Sequence, residues 1–206
     1  DLIICDLALP DSDGLRVTET LKEDIRSSHI PVIILTSNNS IEKQIDSMKI
    51  KADAFIAKPF NLQFLEETIK SLLKNRTILR DHYISEIPAE VKANSPTKID
   101  RKFINEFTAI VEKNIANENF SAEDICREKN ISRTQLNRKI KALLGVNVNE
   151  YILFVRLQKA KYLLSNEDLS IAEVAYRVGF ASQTYFSTVF KSKLSITPTE
   201  YKKNLK

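Results

Sequence analysis

Three short apolar runs punctuate the first 80 residues: DLIIC (1–5), PVIIL (31–35) and DAFIA (53–57), all rich in branched side chains. Compact runs without polar alternation are expected of strands buried on both faces. Between them, residues 15–25, 41–50 and 61–79 carry apolar side chains at helical spacing, as at Leu62, Leu65, Ile69, Leu72 and Leu73. Strand–helix alternation of this kind predicts parallel βαβ units in an α/β, doubly wound sheet. The pattern then changes. Residues 81–98 hold two prolines and no clean period and read as a linker, whereas 99–206 show helical periodicity broken only by short turns and predict an all-α domain.

The helical block repeats itself. FSAEDICREKNISRTQLNRKIKALLGVNVNEY aligns with LSIAEVAYRVGFASQTYFSTVFKSKLSITPTEY. Ser121, Ile125 and Cys126 match Ser170, Val174 and Ala175 at an offset of 49, and Leu136, Ile140, Lys141, Leu144 and Tyr151 match Phe186, Phe190, Lys191, Leu194 and Tyr201 at 50. A one-residue difference in the turn, with matched apolar positions on both sides, indicates two copies of one supersecondary unit, at about 121–141 and 170–191.

In each copy a serine precedes acids in the first turn of the first helix, Ser121 before Glu123 and Asp124, Ser170 before Glu173. A second helix is expected from Ser132 or Ser182. Its apolar face holds Leu136, Ile140 and Leu143 in one copy and Phe186, Val189 and Phe190 in the other. The opposite face carries Arg133, Thr134, Asn137, Arg138 and Lys141, or Gln183, Thr184, Ser187, Thr188 and Lys191. Arg suits guanine, Asn and Gln suit adenine, hydroxyls suit either, and lysines grip phosphates. A helix–turn–helix whose second helix is polar outside is built to enter the major groove.

Charge sharpens this picture. The net +4 is uneven: residues 1–80 hold 11 Lys/Arg against 12 Asp/Glu, and 99–206 hold 18 against 12. A basic half joined to a near-neutral one fits a polyanion partner for the former. No apolar run is long enough to span a membrane, and the opening residues lack the apolar stretch and basic flank of a signal peptide, so a cytoplasmic location is expected. Cys5 and Cys126 are expected to be buried, reduced thiols. The chain starts with Asp and has one methionine, Met48, and is expected to be the C-terminal part of a longer polypeptide.

Residues 100–203 resemble the DNA-binding domain of the AraC family of bacterial transcription regulators, through LNRKIKALLG, RLQKAKYLL, SIAEVAYRVGF, QTYFSTVFKSKL and TPTEYKK. The resemblance implies two helix–turn–helix subdomains bridged by a long helix at about 149–165, which contains Arg156 and Leu157, with the recognition helices in successive major grooves of promoter DNA. Two departures stand out. Thr188 replaces an Arg common in the family, so Arg138 is expected to carry more of the readout, and Ser195 replaces the usual Gly before the final TP, so an altered turn is expected there.

In the first block, CDLALPDSDG (5–14) ends an apolar run on a carboxylate, Asp6. The carboxyl ends of parallel strands are where such sheets place ligand chemistry, and Asp can act as a nucleophile toward phosphoryl groups. The next apolar runs end on Thr36–Ser37 and on Lys58–Pro59. An acid, a hydroxyl and an amine thus converge on one sheet edge.

Residues 1–80 resemble the receiver domain of two-component response regulators, through CDLALPDSDGL, IPVIILTS and ADAFIAKPF. The resemblance implies Asp6 as phosphoacceptor, the Ala8 backbone carbonyl with Asp6 as Mg²⁺ ligands, and Thr36, Phe55 and Lys58 as the phosphoryl switch, with a cis Lys58–Pro59 bond. A receiver begins with a strand, an acidic Mg²⁺-holding pair, a helix and a second strand. None of these lies in the 206 residues, so a partial sheet lacking its first two strands, with an unpaired edge at 2–5, is expected. Mg²⁺ is implied for the intact receiver, whereas this stretch alone is expected to hold none and not to phosphorylate itself at Asp6.

The two resemblances together look like the end of a hybrid two-component regulator, in which a sensor, a membrane span and a histidine kinase precede the receiver. A stand-alone response regulator would end in the same way. The expected function is a DNA-binding transcription regulator in a phosphorelay, not itself an enzyme. Its implied partners are promoter DNA, a histidine kinase in cis or in trans, and a second copy when active. Two rivals fare worse. A ligand-gated AraC-type regulator needs an N-terminal β-barrel, which CDLALPDSDGL and AKPF argue against. A phosphatase-like enzyme needs a second acid two residues after the nucleophile, where Ala8 stands.

Overall fold

The structure, a computed structural model, describes residues 2–8, 13–37, 50–85 and 98–204. It divides into two compact units: Asp1–Asn105 with Asn137–Val146, and Glu106–Leu136 with Asn147–Lys206.

The first unit holds β1 (Ile3–Asp6), β2 (Val32–Thr36) and β3 (Ala54–Ala57), all parallel, in the order β1-β2-β3. The register sets Asp6 opposite Leu35 and Thr36 opposite Ala57. Only β2 is enclosed on both faces. Val32 and Ile34 pack with Cys5 and Leu7 against Leu15, Val17 and Leu21 of α1 (Gly14–Glu23), while buried Ile33 and Ile56 have the opposite parity. The expectation of strands buried on both faces is therefore too broad: β1 lies at the edge of the described sheet, and Ile4 is 45% exposed. The predicted helix at 41–50 falls almost wholly outside the described residues.

After β3, α2 runs Leu62–Ser85, past the predicted helix end at 79 and into the expected linker. No proline or glycine interrupts the sequence before Pro88. Its apolar stripe is only partly covered. Leu65, Ile69 and Leu72 are half-buried, whereas Leu62 and Leu73 are exposed, because the short β3 edge offers sheet surface to only part of the stripe.

The helical half begins with α3 (Lys98–Lys113), followed by α4 (Ala122–Lys129), α5 (Arg133–Leu144), α6 (Val148–Asn166), α7 (Ile171–Arg177), α8 (Gln183–Leu194) and α9 (Pro198–Lys203). The predicted starts hold, since Ser121 and Ser170 cap α4 and α7, and Ser182 caps α8. The repeat includes the helix that follows each second helix. Asn147 and Glu150 form a capping box on α6, and Thr197 and Glu200, fifty residues on, form the same box on α9. In the second copy, Leu157, Ala160, Leu163 and Leu164 of α6 pack with Val174, Ala175, Val178, Phe180, Phe186 and Phe190. The altered turn expected at Ser195 is absent. Gly145 sits at φ 75° and Ser195 at φ 61°, so the serine adopts the left-handed conformation that glycine takes in the first copy.

Candidate functional site

The acidic corner is built by strand ends. Asp6 closes β1, and its Oδ1 accepts from the Ala8 N–H at 3.2 Å while Oδ2 accepts from the Lys58 ammonium. The Lys58 hydrogen bond, then that of Ala8, holds the Asp6 carboxyl below the ordinary carboxylate range. Both side chains are about one-third exposed, so the ion pair is open to solvent.

Lys58 arrives there because β3 ends one residue earlier and its N–H donates to the Thr36 carbonyl at 2.6 Å, with the Lys58–Pro59 peptide cis. Thr36 is 1% exposed at the end of β2, and Phe55 is half-buried against Cys5, Leu7, Val32 and Ile34. The structure thus places Asp6 and Lys58 in contact, with Thr36 and Phe55 on the neighbouring strands.

Gly14 is a determinant that the sequence reading left without a role. Its N–H donates to the Leu7 carbonyl at 3.1 Å, and an added Cβ would lie 2.2 Å from the Asp6 carbonyl oxygen. Only a residue without a side chain lets α1 start against the backbone of the acidic corner. The signal was present as the glycine ending CDLALPDSDG, but the close approach is a tertiary fact. Nearby, Cys5 is buried with its thiol pKa pushed up by desolvation, whereas Cys126 is only half-buried, less enclosed than expected.

Mg²⁺ fits this corner poorly. Among the described residues, the corner offers the Asp6 carboxylate, already bonded to Ala8 and Lys58, and the Ala8 carbonyl, and no three His, Cys, Asp or Glu side chains cluster. An octahedral ion would be held at two positions and left to water at the rest.

The polar faces of α5 and α8 lie largely at the surface. On α5, Arg133, Thr134, Arg138 and Lys141 are exposed and Asn137 is half-buried. On α8, Gln183, Thr184, Thr188 and Lys191 are exposed and Ser187 is half-buried. Among these groups, Arg133 pairs with Glu123 of α4 at 2.6 Å, and the Thr188 hydroxyl donates to the Thr184 carbonyl at 3.0 Å. Tyr185, which the sequence reading passed over, is 62% exposed on α8 with its ring 5.9 Å from that of Phe180. Its one clue was an aromatic set among polar neighbours.

Lys139 has an unexpected fate. Within the first unit it is 2% exposed, and its ammonium donates to Asp100 Oδ1 at 2.6 Å and to Ser28 Oγ at 2.9 Å. The Ser28 hydroxyl in turn donates to Asp100 Oδ1 at 2.8 Å, and the ammonium lies 5.1 Å from the centre of the Phe103 ring. Burial pulls the lysine pKa down, against the opposing pull of Asp100. In sequence Lys139 is one lysine among several. In the fold it is interior.

Comparison with known proteins identifies two domains. Residues 1–70 match the response regulator receiver domain and 125–204 match a helix-turn-helix domain. The chain is 37% identical over 203 residues to histidine kinase P4 of Formosa agariphila, covering 97% of this chain and 15% of that protein. The C-terminal domain of the two-component response regulator yesN from Fusobacterium nucleatum is 30% identical, with 49% of this chain and 98% of that one covered and a TM-score of 0.48. A receiver domain protein from Methanospirillum hungatei is 32% identical over 36% of this chain and 58% of its own, with a TM-score of 0.34. The chain spans far less than two thirds of the first curated relatives, 15% and 40% of their lengths. The chain thus joins a response regulator receiver domain, matched over residues 1–70, to a helix-turn-helix domain, matched over residues 125–204.

Proposed function

We propose that residues 1–80 act as a receiver with Asp6 as phosphoacceptor, that 81–98 link it to 99–206, and that α5 and α8 read promoter DNA. The observation that carries the proposal is the Asp6–Lys58 ion pair at the strand ends, on the same chain as the duplicated helix–turn–helix. An aspartate so placed attacks the phosphorus of a phosphodonor through its carboxylate oxygen, forming an acyl phosphate as the bond from phosphorus to the donor breaks and the donor group leaves with that electron pair. Lys58, freed from Oδ2, neutralises the phosphoryl charge, and Thr36 offers a hydroxyl to a phosphoryl oxygen. The matched domains fit a regulator rather than an enzyme, with DNA and a kinase as its partners and an active homodimer as its finer form. No described helix is long and apolar enough to cross a membrane. A cytoplasmic site of action suits a protein that reads DNA.

Two experiments test this. Duplexes selected by the chain from a random library, titrated by fluorescence anisotropy across a salt series, should be preferred over scrambled ones, and Arg138→Ala should remove about 1–3 kcal/mol of that preference. Equal binding to both that vanishes with salt would leave only charge as the cause. For the receiver, a strand–acidic pair–helix–strand segment fused ahead of Asp1 should let a small phosphodonor with Mg²⁺ add the mass of one phosphoryl group. Asp6→Asn in the same fusion should abolish it. Retained modification would sink the assignment.

A further inference from the structure

The second unit contains a guanidinium whose surroundings are unusual for a structural arginine. Arg156, in the middle of α6, donates from Nη2 to the Asn117 carbonyl at 2.7 Å, in the loop that leads into α4. The same group lies 5.9 Å from the Phe180 ring centre, in the turn that leads into α8. Gly179, at φ 79° in that turn, comes so close that an added Cβ would stand 2.9 Å from Arg156 Nη2 and 2.3 Å from the Ile115 carbonyl oxygen. Arg156 Nε is buried without a hydrogen-bond partner. One planar side chain therefore touches the loop before the first helix–turn–helix and the turn inside the second.

Stability alone explains this poorly. Leaving a guanidinium N–H buried and unpaired carries a desolvation penalty, and burial alone pulls the group's pKa down. An apolar side chain of similar length would fill the space without that penalty. What an apolar chain cannot supply is direction: a rigid planar fork with one edge on a carbonyl and one face toward an aromatic ring fixes both distance and angle. The corresponding helix of the first copy solves a different problem. Fifty residues earlier, Glu106 of α3 pairs with Lys129 at the end of α4, a bond that stays inside its own motif.

We infer that Arg156, seated against Gly179, is a positioning residue that sets the spacing at which the two helix–turn–helix motifs accept their DNA elements. Its specificity role is separation, not base identity. Two motifs on one chain gain from each other only while their geometry matches the duplex repeat, so a defined joint makes binding sensitive to each base pair inserted between the elements. This inference rests on the DNA-binding reading above.

The test uses the whole chain and duplexes that the wild type selects from a random library, with one or two base pairs inserted or deleted between the two elements. Wild type should lose about tenfold in affinity per step. Arg156→Met should bind the parent spacing about tenfold more weakly and vary less than about threefold across the series, with binding to a single-element duplex unchanged. Arg156→Lys keeps the charge without the planar fork and should also flatten the series. It covers the case in which the methionine variant fails to fold. A spacing profile as steep as wild type in either folded variant overturns the inference and leaves Arg156 a stabilising contact only. Failure of the DNA-binding reading would look different, because wild type itself would select no sequence.

Discussion

The two helix–turn–helix copies keep one skeleton and fill it with different chemistry. Both have a boxed first helix, Ser121 with Asp124 and Ser170 with Glu173, and both bury the same two positions of the second helix. The first fills those positions with Leu136 and Ile140. The second uses Phe186 and Phe190, whose rings meet edge to face at 5.5 Å, with Tyr201 a further 5.7 Å from Phe190. On the outer face the first copy presents Arg133, Arg138 and Lys141, whereas the second presents Gln183, Thr184, Thr188 and Lys191. Position matching pairs Arg138 with Thr188 and buried Lys139 with half-buried Val189. The fold tolerates either filling because packing asks only for shape, while the outer face is free to differ. On the proposed DNA-binding reading, phosphate contacts concentrate in the first copy, and the second sets neutral hydrogen-bonding groups beside its one lysine on this face, Lys191.

Breaking the first copy at the position where the second is apolar has the largest expected effect. Lys139→Met leaves Asp100 buried without its cation and should destabilise the chain by about 3–5 kcal/mol in a denaturant titration. Lys139→Met with Asp100→Leu should recover most of that loss, since the pair is then replaced by apolar volume. A double variant no better than the single one would mean that the site needs a polar group.

The outer faces come next. Arg138→Ala should cost about 1–3 kcal/mol of sequence-specific binding, and Thr188→Ala clearly less, because that hydroxyl proton is already spent on Thr184. Thr188→Arg sharpens the contrast: it should tighten binding to all duplexes and steepen the salt dependence by about one phosphate contact.

The helix ends give a smaller, opposed pair. Ser195→Gly relieves a left-handed serine and should raise stability by about 1 kcal/mol, while Gly145→Ser should lower it by a similar amount. Thermal melts of both variants check the sign. Equal shifts in the same direction would refute the equivalence of the two turns.

The smallest effect is acid sensitivity of the caps. Ser121 lowers the pKa of Asp124, and Ser170 that of Glu173, by hydrogen bonds to the ionised carboxylates. A depressed folded-state pKa means stability that is present above the ordinary carboxylate pKa and is lost as pH falls through the depressed one. Wild type should therefore lose part of its melting temperature as pH drops through the carboxylate range. Ser170→Ala should be less stable at neutral pH by about 1 kcal/mol and show a shallower acid decline. An unchanged pH profile would separate the boxes from stability.

Much of this was legible along the chain because local rules dominate it. The strand runs, the serine caps, the duplication and the polar faces of α5 and α8 all follow from spacing, and the receiver and AraC resemblances rest on contiguous motifs. Ser121 and Asp124, or Asn147 and Glu150, meet within one helical turn, so their chemistry is written in neighbouring letters. Tertiary structure alone decided what depends on residues far apart in sequence. Gly14 is required because α1 starts on the Asp6 carbonyl, and Arg156 matters because Asn117 and Gly179 meet at its guanidinium. Lys139 is interior because Asp100, 39 residues away, and Ser28, 111 residues away, enclose it. A periodic pattern assigns a lysine to solvent by default, and only a buried partner can make the interior affordable for its charge.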